Sequence, residues 1–175
     1  MAVSYVPVGT HRSAVLSHVL SFLLLLVLAA AQVTWPTWLR LSGQPPCLVL
    51  AAVISLGLTC GGPGGLTAGF VGAFLWAAVA DLPMGNLFVS YMGLGFLAGT
   101  MRGRMFSDRL SLAAILVAAG VILAAIVSLL LAPPPSPQSW IAAVGARAVA
   151  TALATIPIYP LVRWLSQYYP LPEEP

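Results

Sequence analysis

The run GGPGGLTAGFVGAFLWAAVADLPMGNLFVSYMGLGFLAGTMRGRMF, Gly61 to Phe106, decides the fold. Gly61-Gly62-Pro63 makes a tight turn and Leu82-Pro83 makes another. They bound two apolar segments, Gly64 to Asp81 and Met84 to Met101, each of a length that suits a membrane helix. Small residues recur in both at helical spacing. Gly65, Gly69, Ala73 and Ala77 stand four apart in the first, with Gly72 beside them, and Gly95, Gly99 and Gly103 do the same in the second. Gly85 opens the second segment. In lipid, helices associate through close backbone approach, which such stripes permit. Packing between these two segments is the ordinary use of the pattern; binding a different membrane protein is the other.

Outward from this run, four more apolar segments can be marked: Ser13 to Trp35, Pro46 to Cys60, Ser111 to Ala132 and Trp140 to Trp164. Pro36, Pro45 and Pro46 punctuate the first gap, and Pro133-Pro134-Pro135-Ser136-Pro137 forces an extended connector in the last. The predicted architecture is all-α, a single membrane bundle over residues 1–175 with six transmembrane helices. It has five if the short second segment is re-entrant or buried. Residues 1–12 and 166–175 are read as short cytoplasmic ends.

Composition agrees. Of 175 residues, 60% are hydrophobic and 6% charged, and the mean hydropathy is +1.00. A soluble domain carries about 25% charged residues, so a water-soluble enzyme, a nucleic-acid binder and a disordered linker are excluded. The cations are all arginine, seven against four acids. With six spans, Arg12, the loop arginines Arg102, Arg104 and Arg109, and Arg163 fall on one side and only Arg40 on the other, which places both termini in the cytoplasm. The basic loop is a topology signal first and a contact for anionic lipid or protein second. Arg12, the apolar run and Ala29-Ala30-Ala31 imitate a cleaved secretory signal. The run is too long for one and continues to Trp35, so the segment is expected to stay.

Chemistry has little to work with. Cys47 and Cys60 would lie ~20 Å apart along one helix, too far for a disulfide. No Cys/His cluster suggests a metal, no cofactor motif is present, and no pair of facing carboxylates or nucleophile elbow is available for catalysis. His18 reads as a packing histidine without an acidic relay partner at its depth. Arg147 lies inside the sixth segment, where facing lipid costs ~2.5–3.5 kcal/mol on insertion scales. It is expected to face protein or to snorkel outward. Asp81 ends the third segment at a similar depth. The two are candidates for a polar pair, a polar pocket floor or a partner contact.

Residues 64–106 resemble the central region of the rod shape-determining MreD family. That family has a Gly-spaced helix ending in Asp, a short turn with Gly, and a helix running into an Arg-rich cytoplasmic loop. Gly69, Gly72, Asp81 and Gly85 fall on those positions, and Arg102 and Arg104 close the pattern. Asn86 departs from it, in a turn where a Leu-Gly pair is common. ATIPIYPLVRWL, Ala154 to Leu165, is similar to the family's last span. The resemblance implies a non-enzymatic component of the bacterial cell-elongation complex in the inner membrane. Its partners would be an MreC-type bitopic protein together with MreB, RodA and a class B penicillin-binding transpeptidase. It also implies a fold similar to the S components of energy-coupling-factor transporters. A vitamin-binding S component is therefore the alternative, although the Ala-x-x-x-Ala docking pattern usual in the first span of such proteins is missing, Ala14 being followed at that spacing by His18.

Overall fold

The computed structural model describes residues 10–41, 43–80, 84–101, 110–131 and 137–166. Among these residues five α-helices form: α1 (Thr10–Val33), α2 (Leu48–Ala80), α3 (Met84–Thr100), α4 (Leu110–Leu131) and α5 (Pro137–Ser166). A short 3-10 turn, Thr37–Leu39, lies between α1 and α2. Three helical stretches are long and apolar enough to cross a membrane: Leu48–Ala80, Leu110–Leu130 and Ser139–Leu165. This all-helical, apolar architecture fits a membrane protein.

Six separate crossing helices are not supported. The second and third apolar segments run together as α2, 33 residues with Pro63 inside, and α3 is only 17 residues long. Pro63 does not end the helix, because the break occurs two residues earlier. Gly61 has φ 85° and ψ −178°, a left-handed extended conformation open essentially to glycine alone. The chain reverses there. A Cβ built on Gly65 would lie 2.9 Å from the Cα of Gly57, and one on Gly72 would lie 2.7 Å from Val53 Cγ2 and 3.2 Å from Val49 Cγ1. In a straight helix Val53 and Gly72 would be ~28 Å apart along the axis. α2 is therefore a hairpin with a first arm before Gly61 and a second arm after it.

The first arm is the post around which the molecule is built. Every residue from Leu48 to Leu58 is buried, so this stretch is apolar on all sides and shows no amphipathic stripe. α2 touches all four other helices, which follow one another around it in the order α1, α5, α4, α3. Leu50, Val53 and Ile54 of the post meet a core that includes Leu25 of α1, Val117 of α4 and Val162 of α5. The outer helices turn large apolar side chains away from the bundle, such as Phe22, Val27, Ile115 and Leu153. His18, expected to pack inside, is exposed. It sits one helical turn before Phe22 on the outward face of α1.

The end of the bundle at which α1 and α4 finish and α2, α3 and α5 begin is tied together by side chains. Gln32 Oε1 accepts the Val49 N–H at 3.1 Å, and Thr151 Oγ1 accepts the Cys47 N–H at 2.9 Å. These bonds serve the start of α2, where backbone donors have no partner within the helix. Across the same end, Asn86 Nδ2 donates to Ser128 Oγ at 2.8 Å. Pro137 begins α5 instead of extending the connector, since a first-turn proline loses no helical hydrogen bond.

Candidate functional site

Two features stand out: the seam between α2 and α3, and a cavity at the tied end of the bundle. The seam is made of glycine. A Cβ on Gly65 would run into the Gly95 carbonyl, and one on Gly95 into the Gly65 carbonyl. Gly69 stands against the Tyr91 backbone, and Gly99 against Gly61 and Gly62. The pairings descend along one helix as they ascend along the other, so the second arm of α2 and α3 are antiparallel. Gly57 of the first arm also meets the Gly95 carbonyl, at 2.5 Å from a built Cβ. Gly95 is thus wedged between both arms.

The remaining small residues divide. Ala73 is fully buried. Gly72 faces mainly Val49 and Val53 of the first arm, with the Tyr91 ring of α3 at 3.8 Å from a built Cβ. Gly85 takes no part in the packing: no atom lies within 4 Å of a Cβ built there, and the residue is exposed. Spacing alone does not separate these roles, because Gly85 sits at the helix start, beyond the stretch where the two backbones meet. Asp81 and the loop arginines Arg102, Arg104 and Arg109 lie outside the described residues.

Arg147 lies in the third turn of α5's apolar stretch, Ser139–Leu165, and is half-buried. Its Nε donates to the Pro45 carbonyl at 3.4 Å, while its own backbone carbonyl accepts from Thr151 Oγ1 at 2.6 Å. Thr151 Oγ1 is the atom that accepts the Cys47 N–H. One turn of α5 therefore holds both the start of α2 and the guanidinium. No Asp or Glu is among the described residues.

Arg147 borders a cavity of about 420 Å³. Its walls come from the loop before α2, both arms of α2, and α3, α4 and α5. The polar lining includes Gln44, Asn86, Ser90, Ser128 and Arg147, and the indoles of Trp76 and Trp140 stand among the apolar walls. The polar groups are linked: Ser90 Oγ donates to Asn86 Oδ1 at 3.4 Å, Asn86 Nδ2 donates to Ser128 Oγ, and Ser128 Oγ donates to the Ala124 carbonyl at 2.9 Å. Sequence reading did not find Asn86, Ser90 and Ser128 as a group. The available signal was three polar side chains at matching depth in two successive apolar helices.

Both cysteines are free, and among the described residues no cluster of His, Cys, Asp or Glu is arranged to hold a metal. Compared with protein-family models, curated proteins and solved structures, the chain has no match.

Proposed function

We propose that this chain is a non-enzymatic integral component of a bacterial cell-elongation complex, of the MreD type, seated in the inner membrane with both termini cytoplasmic. The hairpin in α2 would add a pass, giving six in all. The observation that carries the reading is the pattern of residues 64–106: two successive helices with small residues four apart, a turn between them, and an arginine-rich exit. The close backbone approach of Gly65 to Gly95 and of Gly69 to Tyr91 supports it, because a pair so tightly joined makes a rigid platform for other membrane proteins. In this reading the protein supports lateral peptidoglycan synthesis by binding an MreC-type bitopic partner, and through it MreB, RodA and the transpeptidase.

The test is depletion in the native host together with co-purification. Depletion should round the cells and disperse the wall-synthesis proteins, and tagged protein extracted in mild detergent should bring down the bitopic partner. Normal rod shape on depletion, with no partner recovered, rejects the proposal. The cavity favours a second reading, the S component of a vitamin transporter. Recovery of an ATP-hydrolysing module in place of the bitopic protein would put that reading first.

A further inference from the structure

We infer that the cavity at the tied end of the bundle is a binding site for a small molecule that carries one anionic group, carboxylate or phosphate, on an apolar or aromatic body. The inference stands on the residues of the cavity and not on the cell-elongation reading. It begins with the guanidinium. Arg147 donates through Nε to Pro45, and among the described residues nothing else engages the two terminal NH₂ groups of its fork. A fork of parallel N–H donors matches a carboxylate or phosphate. No acid among the described residues offsets its charge.

The rest of the lining adds donors rather than charge. Asn86 Oδ1 and Ser128 Oγ both accept within their own chain of hydrogen bonds, and the Ser128 hydroxyl proton is committed to Ala124. One N–H of the Asn86 amide is used by Ser128, so the amide has a second donor to offer. The other walls, including Leu50, Leu87, Val121 and Ala125 with the indoles of Trp76 and Trp140, are apolar. A mostly apolar chamber of about 420 Å³ with a few convergent donors has the make-up of a small-molecule site. A fully hydrated ion would waste the apolar walls, and a neutral hydrocarbon would leave the guanidinium unpaired.

The experiment uses full-length protein in a neutral detergent, with 1-naphthoate and 1-naphthyl phosphate as probes and 1-naphthylmethanol as the uncharged counterpart, read by equilibrium dialysis. One molecule per protein should bind saturably, and at least one anionic probe should bind about 10-fold or more tighter than the alcohol. Arg147→Gln should weaken that probe about 10–100-fold, the range of a lost charge-assisted hydrogen bond, while Arg147→Lys should keep a large part of the affinity. Trp140→Ala should weaken all three probes alike, and it keeps the test decisive should Arg147→Gln fail to fold.

Nanodiscs distinguish the source of the anion. Competition by phosphatidylglycerol but not phosphatidylcholine, with one phosphatidylglycerol retained in native mass spectra, assigns a lipid headgroup; equal probe binding in both assigns a soluble anion. Equal affinity for the alcohol, no effect of Arg147→Gln on binding, or no anion bound at millimolar concentration with no lipid retained overturns the inference.

Discussion

Gly93 and Gly95 sit two residues apart in α3, and adding the same methyl group to each should have opposite effects. At Gly95 the new Cβ would lie 2.9 Å from the Gly65 carbonyl carbon and 3.0 Å from Val53 Cγ1, and would press on the Gly65 oxygen. Carbon atoms in good contact are ~3.5–4.0 Å apart. Two of the three neighbours are backbone atoms, which no rotamer change can move away. The helices must part by ~0.5–1 Å, a gap that forfeits a quarter to a half of the dispersion attraction between the atoms along the seam. Overpacking of this kind costs ~1–3 kcal/mol, and alanine's better helix propensity returns at most ~1 kcal/mol. At Gly93 nothing lies within 4 Å of the added Cβ, so only the gain of up to ~1 kcal/mol remains. The propensity gain is common to both, so the two variants should differ by the overpacking cost, ~1–3 kcal/mol. For a chain of this size that corresponds to ~2–12 °C in Tm. Thermal unfolding in detergent, followed by helical circular dichroism, measures it. Equal Tm values for Gly93→Ala and Gly95→Ala, or a rise for Gly95→Ala, would refute the description of the seam.

Three further outcomes are expected. Gly61→Ala should destabilise the protein by ~1–3 kcal/mol, because φ 85° with ψ −178° is costly for any side chain; thermal unfolding checks it, and an unchanged Tm counts against the hairpin. Thr151→Val should cost ~1–3 kcal/mol by leaving the buried Cys47 N–H without an acceptor. Thr151→Ser should restore it, and no difference between the two removes the tie between α5 and α2. Reporter fusions after residue 105 and at the C-terminus should read cytoplasmic and one near residue 135 external, as the arginine bias requires; an external C-terminus refutes the orientation.

The helical class was legible because 60% apolar residues with 6% charge leave no other architecture, and proline and glycine mark most of the helix ends. Gly61-Gly62-Pro63 was read as a tight turn, and the backbone leaves helical geometry at Gly61. What could not be read was that Pro63 falls in the first turn of the second arm, two residues after the break at Gly61, or that the short arm before it is the centre of the bundle. Val49, Val53 and Ile54 look the same in sequence whether they face lipid or protein, since both are apolar. The same limit hid the different fates of Gly72 and Gly85, which share a residue type but not a neighbour. The cavity was least legible. Gln44, Trp76, Asn86, Ser128, Trp140 and Arg147 come from five parts of the chain; Arg147 stood out as a charge inside an apolar segment and Asn86 only as a departure from a family pattern.

The enclosed first arm of α2 has a consequence for how such a chain is made. Of its neighbours, only α1 precedes it in order of synthesis, and α3, α4 and α5 all emerge later. Between those moments the arm has no protein around most of its circumference. Its composition suits that wait. The hydroxyl of Ser55 is turned back onto the Ala51 carbonyl at 2.7 Å and that of Thr59 onto the Ser55 carbonyl at 3.1 Å, so lipid would meet almost nothing but hydrocarbon. The two backbone donors at its start that lack a partner within the helix are claimed in sequence. Gln32, already translated, can take the Val49 N–H at once, but Cys47 must wait 104 residues for Thr151. The latch that closes the bundle is thus carried by α5, the last of these five helices in chain order, and a chain truncated before α5 would be left with its centre inserted but unfastened.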